Sequence, residues 1–408
     1  MLSDDALEKL MQPIIDRQDE INNYVVTKIA KRIKEIGQVK SSDVYQLMQL
    51  RNTGADVKLI NAELAKLTNL QVNDIKKIIK VAAIASYLDA KPFYDYRHKS
   101  FIPFTENKYL QREVEAIARQ TAGTYKNISK AQAFMIRDLK NPKVLKPTKI
   151  AETYQSVVDE AIQASQTGVI DYNTAMRRTI NQLAESGLRR VTYNPESGKT
   201  FTQRMDTAVR RNIMDGIRAV NQQVWLITGE EFKADGVEIS AHPYPAPDHA
   251  EMQGHQYTNA QFDRMQSAKD FKDVQGRKYK GFERAVGTLN CYHFARSIII
   301  GVMKQTYTDE QLKEMLKKNQ EGYTLPNGKH LTMYECTQYQ RRLETKIRYA
   351  KDGQIAARNS GDIELAQAYQ AKINKYTNQY SEFSKACGLS QKKERMRISG
   401  YHKIKAKS

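Results

Sequence analysis

Over residues 4–36, apolar side chains recur at spacings of three and four: Leu7, Met11, Ile14, Ile21, Val25, Ile29 and Ile33, with Gln18 filling one place. Positions so spaced fall on one stripe of an α-helix, so the pattern predicts a single long helix with one apolar seam. No close return partner is evident, and the seam is expected to dock on neighbouring helices or on another protein. Helices are predicted next near 43–52, 56–68 and 71–90, with Ser41, Ser42 or Asp43 as cap and with Pro92 and the aromatic turn Phe93–Tyr96 as the stop. Further helices are expected near 106–120, 130–139, 150–165 and 173–186. Between them KNPKVLKPTK (140–149) reads as a bend or linker.

The pattern changes at 189–202, where apolar and polar residues alternate around Asn194–Gly198 as in a β-hairpin. A helix is predicted again over 203–227, with Met205, Val209, Ile213, Ile217, Val220 and Val224 on one side. Arg204, Arg211 and Arg218 share another stripe of it, and Asp206–Arg210 and Arg211–Asp215 are spaced as i,i+4 pairs. That stripe is read as a solvated, salt-bridged face, or else as a phosphate or partner contact. GYTLPNGKHLT (322–332) signals a second hairpin with Asn327–Gly328 at its turn. Two closing helices follow, broken at Ser360–Gly361, with Asp362 placed to cap the second; their Tyr and Phe stripe is read as packing. The expected fold is mainly α (α+β), long amphipathic helices flanking a small central α+β core with short hairpins. Five segments are expected: helical regions 1–100 and 101–188, the core 189–333, a helical hairpin 334–390 and a basic tail 391–408.

Charge adds a partner class. The chain of 408 residues carries a formal net charge of +19, and only 40% of its residues are hydrophobic. An excess of this size favours a polyanion or an acidic protein surface. The tail concentrates it in Lys392, Lys393, Arg395, Arg397, Lys403, Lys405 and Lys407, among few sizeable apolar residues. It is expected to be mobile and to meet phosphates without sequence preference. Three dispersed cysteines do not form a disulfide framework, the opening MLSDDALEKL lacks a basic signal region, and no apolar run approaches a membrane span. Synthesis in a reducing cytoplasm is therefore expected.

Special chemistry concentrates in 239–302, which holds His242, His249, His255 and His293 together with Cys291. His242, Asp248, His249, Cys291 and His293 are all competent ligands, so a zinc site is one reading. The other needs no cofactor: histidines and Asp248 hydrogen-bond a Pro-rich loop that lacks its own ladder, Gly254 supplies a backbone conformation closed to other residues, and His249 and His293 tie the loop to Asn290–Cys291. Enzymatic alternatives fit less well. A metal-dependent, nuclease-like hydrolase could use His242, Asp248, His249 and His293, yet the spacing from Asp248–His249 to Asn290 and His293 does not suit an HNH site. Glu230–Glu231 are adjacent rather than Glu-x-Glu, and no Walker or Rossmann glycine pattern occurs. His293 lies too near Cys291 in sequence to serve as the base of a nucleophilic pair, which should come from another element.

The run IS-AHP-x4-DHA-x2-QG-x2-YT (239–258), followed by G-x2-NC-x-H (287–293), resembles the signature of the phage minor capsid protein type 2 family. The runs TMYECTQYQRRLETKIRYAKDGQIAA and GLSQKKERMRISGY resemble its closing helices. Met252 stands where an aromatic is common, and Tyr292 where an arginine is common. The resemblance implies a virion protein of the phage head, present in few copies. It also implies binding to the portal protein and to the major capsid protein or scaffold, contact with packaged double-stranded DNA, and no catalytic residues.

Overall fold

The computed structural model describes residues 4–37, 43–137, 145–167, 172–194, 199–267, 270–272, 278–280, 285–287, 291 and 293–406. In chain order the elements begin with α1 (Asp4–Gly37), α2 (Asp43–Asp89), α3 (Lys91–Tyr96), α4 (Lys108–Lys130), β1 (Gln132–Arg137) and β2 (Leu145–Lys149). There follow α5 (Ile150–Thr167), α6 (Tyr172–Ser186), β3 (Arg189–Asn194), β4 (Lys199–Arg204) and α7 (Met205–Phe232). The centre holds β5 (Gly236–Ile239), β6 (Gln256–Thr258), α8 (Asn259–Ser267), β7 (Asp270–Lys272), β8 (Lys278–Lys280) and β9 (Ala295–Ile298). The chain closes with α9 (Asp309–Glu321), β10 (Tyr323–Thr324), β11 (His330–Leu331), α10 (Met333–Ser360), α11 (Ile363–Ala386) and a short 3-10 turn, Lys393–Met396. The fold is mainly α with small antiparallel sheets.

The seam of α1 is buried within this chain. Met11, Ile14, Ile21, Val25 and Ile29 are at most 1% exposed, and Ile15, Val26 and Ala30 bury a second stripe. The helix packs against α2, α5, α6, α7 and α10, so its seam is covered by helices of this chain, most of them distant in sequence. One apolar cluster runs from Leu7 through α2, α4, α5, α6 and α7 to Ile373 of α11. The predicted stripe of α7, from Met205 to Val224, lies in that cluster.

Three local expectations are corrected. The helices predicted at 43–52, 56–68 and 71–90 form one helix, α2, because a lone glycine (Gly54) costs only about 1 kcal/mol and no proline intervenes. The helix predicted at 130–139 is strand β1, paired through Ala133 with Lys149 on one side and Arg189 on the other. Short apolar runs such as QAFMIR carry no period that separates strand from helix. The supposed linker supplies β2, where Pro147 faces Met135 on the edge of the sheet β2-β1-β3-β4 and no ladder donor is needed. The hairpins β3–β4 and β10–β11 form as the alternation predicts. Gly361 caps α10 with φ +82°, and the Asp362 carboxylate accepts the Leu365 N–H at 2.9 Å.

Of the arginine stripe of α7, only Arg211 keeps a half-exposed position, 4.0 Å from Asp215 as the i,i+4 spacing predicts. Arg204 and Arg218 are 6% and 5% exposed. Arg204 donates to Asp352 at 2.9 Å and pairs with Asp206 at 3.2 Å, and Arg348 from α10 reaches Asp206 at 2.5 Å. Asp19 of α1, 2% exposed, faces the same cluster. Arg210 pairs with Glu8 rather than Asp206. Arg204, at the N-cap of α7, thus enters a buried ionic junction between α1, α7 and α10, while Arg218 pairs with Asp215 at 3.3 Å.

Through residue 406 the tail packs against the body of the chain. Met396 and Ile398 are buried, and side chains of α1, α10 and α11 hydrogen-bond several of the tail's backbone groups. Asn23 donates to Ser399 O at 2.7 Å, Arg358 to Gly400 O at 2.9 Å, and Gln354 to His402 O at 2.8 Å. Gln370 Oε1 accepts from the Tyr401 hydroxyl and from the Ile404 N–H, both at 3.1 Å. Those polar anchors replace the apolar burial that composition alone showed to be missing.

Candidate functional site

Strand β5 lies between β6 and β9 in a three-stranded antiparallel sheet, and the Pro-rich loop 240–255 leaves and re-enters at its end. Gly254 N–H donates to Ile239 O at 2.8 Å and Ile239 N–H to His255 O at 3.1 Å, which closes the loop base. Ser240 N–H donates to Phe294 O at 2.9 Å, and Phe294 N–H to the Ser240 hydroxyl at 3.1 Å, joining the loop to the start of β9. Gly254 has φ +76°, and a Cβ there would run into the Leu312 side chain of α9. Asn319 of α9 donates to Pro245 O at 3.4 Å and accepts the Tyr334 N–H at 2.9 Å, so the loop is also held against the first turn of α10.

This arrangement brings three of the candidate residues together. His249 Nδ1 lies 3.1 Å and His293 Nδ1 3.4 Å from Cys291 Sγ. All three are about 1–2% exposed, and their ligand atoms lie within 4.8 Å of one another. The His249 and His293 rings meet edge to face at 5.2 Å. Burial opposes ionisation of the Cys291 thiol, but the hydrogen bond and charge of His249, with the backbone N–H groups of Gly287 and His293, outweigh it. The thiol therefore sits below its ordinary range. Burial pushes the other two thiols the opposite way, Cys336 to about 12 with Cys387 beside it.

Other candidates stand apart. His242 stacks on His293 with ring centroids 4.3 Å apart but does not join the three-residue cluster. Asp248 is half-buried and outside it, so the set His242, Asp248, His249 and His293 expected of a hydrolase does not assemble. Asn290 lies outside the described residues.

Sequence reasoning missed Gln253. Its side chain, 2% exposed, accepts the His242 N–H at 3.1 Å through Oε1, and the same oxygen lies 3.1 Å from His293 Nε2. Reasoning that rejected His293 as a base for Cys291 also overlooked His249, which comes from another element and makes the closer contact. The only signal was the shared run from Asp248–His249 to Gln253–Gly254.

The cluster forms one wall of a cavity of about 340 Å³. The opposite wall comes from α10 and the segment after α11, including Thr337, Gln340, Arg341, Ser390, Lys392 and Arg395, and among the described residues no carboxylate lines it. Of the tail cations, Arg395 pairs with Glu8 at 2.8 Å and Arg397 with Asp16 at 3.4 Å. Lys392 lines the cavity. Lys393, Lys403 and Lys405 are exposed, and Lys407 lies outside the described residues.

Among the described residues no helix is long and apolar enough to cross a membrane. No curated protein and no solved structure matches the chain. The profile of the family described as phage minor capsid protein 2 matches residues 2–385, nearly the whole chain. The chain therefore belongs to the phage minor capsid protein 2 family.

Proposed function

We propose that this chain is a non-catalytic minor structural protein of a tailed-phage head, bound at the portal vertex and in contact with packaged double-stranded DNA. Membership of the family gives it a structural role in the virion and contacts with other head components, and that match over residues 2–385 is the observation that carries the reading. The net charge of +19 supports a polyanionic neighbour. Lys393, Lys403 and Lys405, exposed on the packed tail, are the cations of that segment best placed to meet phosphates.

The portal contact is tested by co-expression with the portal protein and sedimentation of the resulting rings. Co-sedimentation in a fixed copy number per ring is expected. A chain that sediments alone and is missing from DNA-filled heads sinks the proposal. The DNA contact is read from the salt dependence of binding to random duplex. Each phosphate neutralised steepens the log–log slope by about 0.9, so replacing Lys393, Lys403 and Lys405 by Ala should flatten it by up to about 2.7. An unchanged slope would assign these lysines to an acidic protein surface.

A further inference from the structure

The geometry points to a Zn²⁺ site held by Cys291 Sγ, His249 Nδ1 and His293 Nδ1, with a fourth position open to the cavity between the central sheet and α10. Tetrahedral zinc takes sulfur at about 2.3 Å and nitrogen at about 2.0–2.1 Å, which sets a sulfur–nitrogen edge of about 3.5 Å. The two sulfur–nitrogen edges found here are 3.1 and 3.4 Å, so each needs to open by only a few tenths of an ångström, and all three ligand atoms lie within 4.8 Å of one another. The ligands come from two elements, 42 and 2 positions from Cys291, and such a site clamps the Pro-rich loop to the start of β9.

The protonation pattern also fits. The His242 backbone N–H can only donate, so the Gln253 atom that meets it at 3.1 Å must be the amide oxygen. The same oxygen meets His293 Nε2 at 3.1 Å, and an acceptor there requires Nε2 to carry the proton. His293 therefore presents the Nδ1 lone pair towards Cys291. A metal-bound histidine needs this tautomer, with its other ring nitrogen donating to an oxygen. Gln253 Nε2 is meanwhile buried with no hydrogen-bond partner; the residue sits in this pocket with its oxygen used twice and its donor unused. Gln253 is thus a positioning residue. Binding releases the thiol proton of Cys291 to solvent and leaves the site with one net positive charge. Beside the Arg341 and Lys392 side chains that line the cavity, the open position suits water or a small anion.

The test uses the full chain, purified with a reductant, loaded with Zn²⁺, desalted and analysed for metal and thermal stability. One zinc per chain is expected, with Tm lowered by EDTA and restored by Zn²⁺. Cobalt loading should give a sulfur-to-cobalt charge-transfer band. Cys291→Ser and His249→Ala should lose both metal and band, whereas His242→Ala should keep them. Gln253→Ala removes no ligand and should weaken zinc affinity by about 10–100-fold, which keeps the test decisive if a ligand variant fails to fold. Substoichiometric zinc in the wild-type chain, with a Tm that neither EDTA nor Zn²⁺ moves, overturns the proposal. So does undiminished zinc in Cys291→Ser.

Discussion

Two isosteric neutralisations inside the buried ionic junction should have opposite effects. Asp206 accepts from Arg204 at 3.2–3.3 Å, from Arg348 at 2.5 Å and from the Thr207 N–H at 2.5 Å. Burial alone would raise its pKa, but the two guanidiniums outweigh that and hold it well below the usual carboxylate range. Asp19 is equally buried, yet its Oδ2 has no hydrogen-bond partner. Burial, with Asp206 and Asp352 nearby, pushes its pKa well up. At an effective dielectric of about 20, each guanidinium–carboxylate attraction at such distances is worth roughly 5–7 kcal/mol before desolvation. Removing one member of a buried pair nets a loss of about 3–5 kcal/mol, because the partner charges stay buried. Asp206→Asn is therefore expected to destabilise by about 3–5 kcal/mol at pH 8, while Asp19→Asn leaves the chain at least as stable as wild type. The pH dependence separates them further. Stability from Asp206 is present above its unfolded pKa of about 3.9 and is lost as pH falls through its lower folded pKa. The raised pKa of Asp19 acts the other way: the folded state keeps a proton that the unfolded chain releases, so stability falls as pH rises from about 3.9 towards the folded value. Asp19→Asn should remove that decline. Urea unfolding of the three proteins between about pH 2 and pH 9 measures both effects. Equal destabilisation by the two variants, or an Asp206→Asn loss below about 1 kcal/mol, would refute the assignment of charge states.

Two other outcomes can be checked by the same unfolding measurement. Ile21→Ala should cost about 2–5 kcal/mol, because Ile21 is fully buried among the α1 contacts; a cost near zero would return the α1 seam to the surface. Gly254→Ala meets both a positive φ of +76° and the Leu312 side chain, so it should cost at least about 1–3 kcal/mol and loosen the loop that carries His249. Wild-type stability in that variant would show that α9 yields.

Helices with sustained spacing were legible in the sequence because an apolar face must be buried somewhere, and both hairpins were legible because alternation and Asn-Gly leave few other readings. What covers a face was not legible. The α1 seam repeats so regularly that it reads as an unpartnered stripe, yet its partners include α10, hundreds of residues away. Arg204 looks like a surface residue until Asp352 and Arg348 arrive from α10 and change its environment. QAFMIR is too short for any period to decide its state, and the tail's composition says nothing of the side chains that anchor its carbonyls. At the central site the residue types were readable, but the grouping was not. Cys291 with His249 and His293, without Asp248, depends on where the three prolines turn the loop. Gln253 acquires a role only when His242 N–H and His293 Nε2 converge on one oxygen.

The clasp between the tail and α1 sets a timetable for folding. Arg395 meets Glu8 across 387 positions, and Asn23 meets Ser399 across 376. A ribosome adding about 5–20 residues per second releases α1 long before the segment that closes over it exists. Contacts of such separation also bear the full entropy of loop closure before they give anything back. During synthesis, then, α2, α5, α6 and α7 can cover α1 early, but the part of it that packs on α10 lies open until α10 and the tail emerge. Only a chain translated through its 390s can make the polar clasp of Glu8 with Arg395 and of Asn23 with Ser399 over that helix.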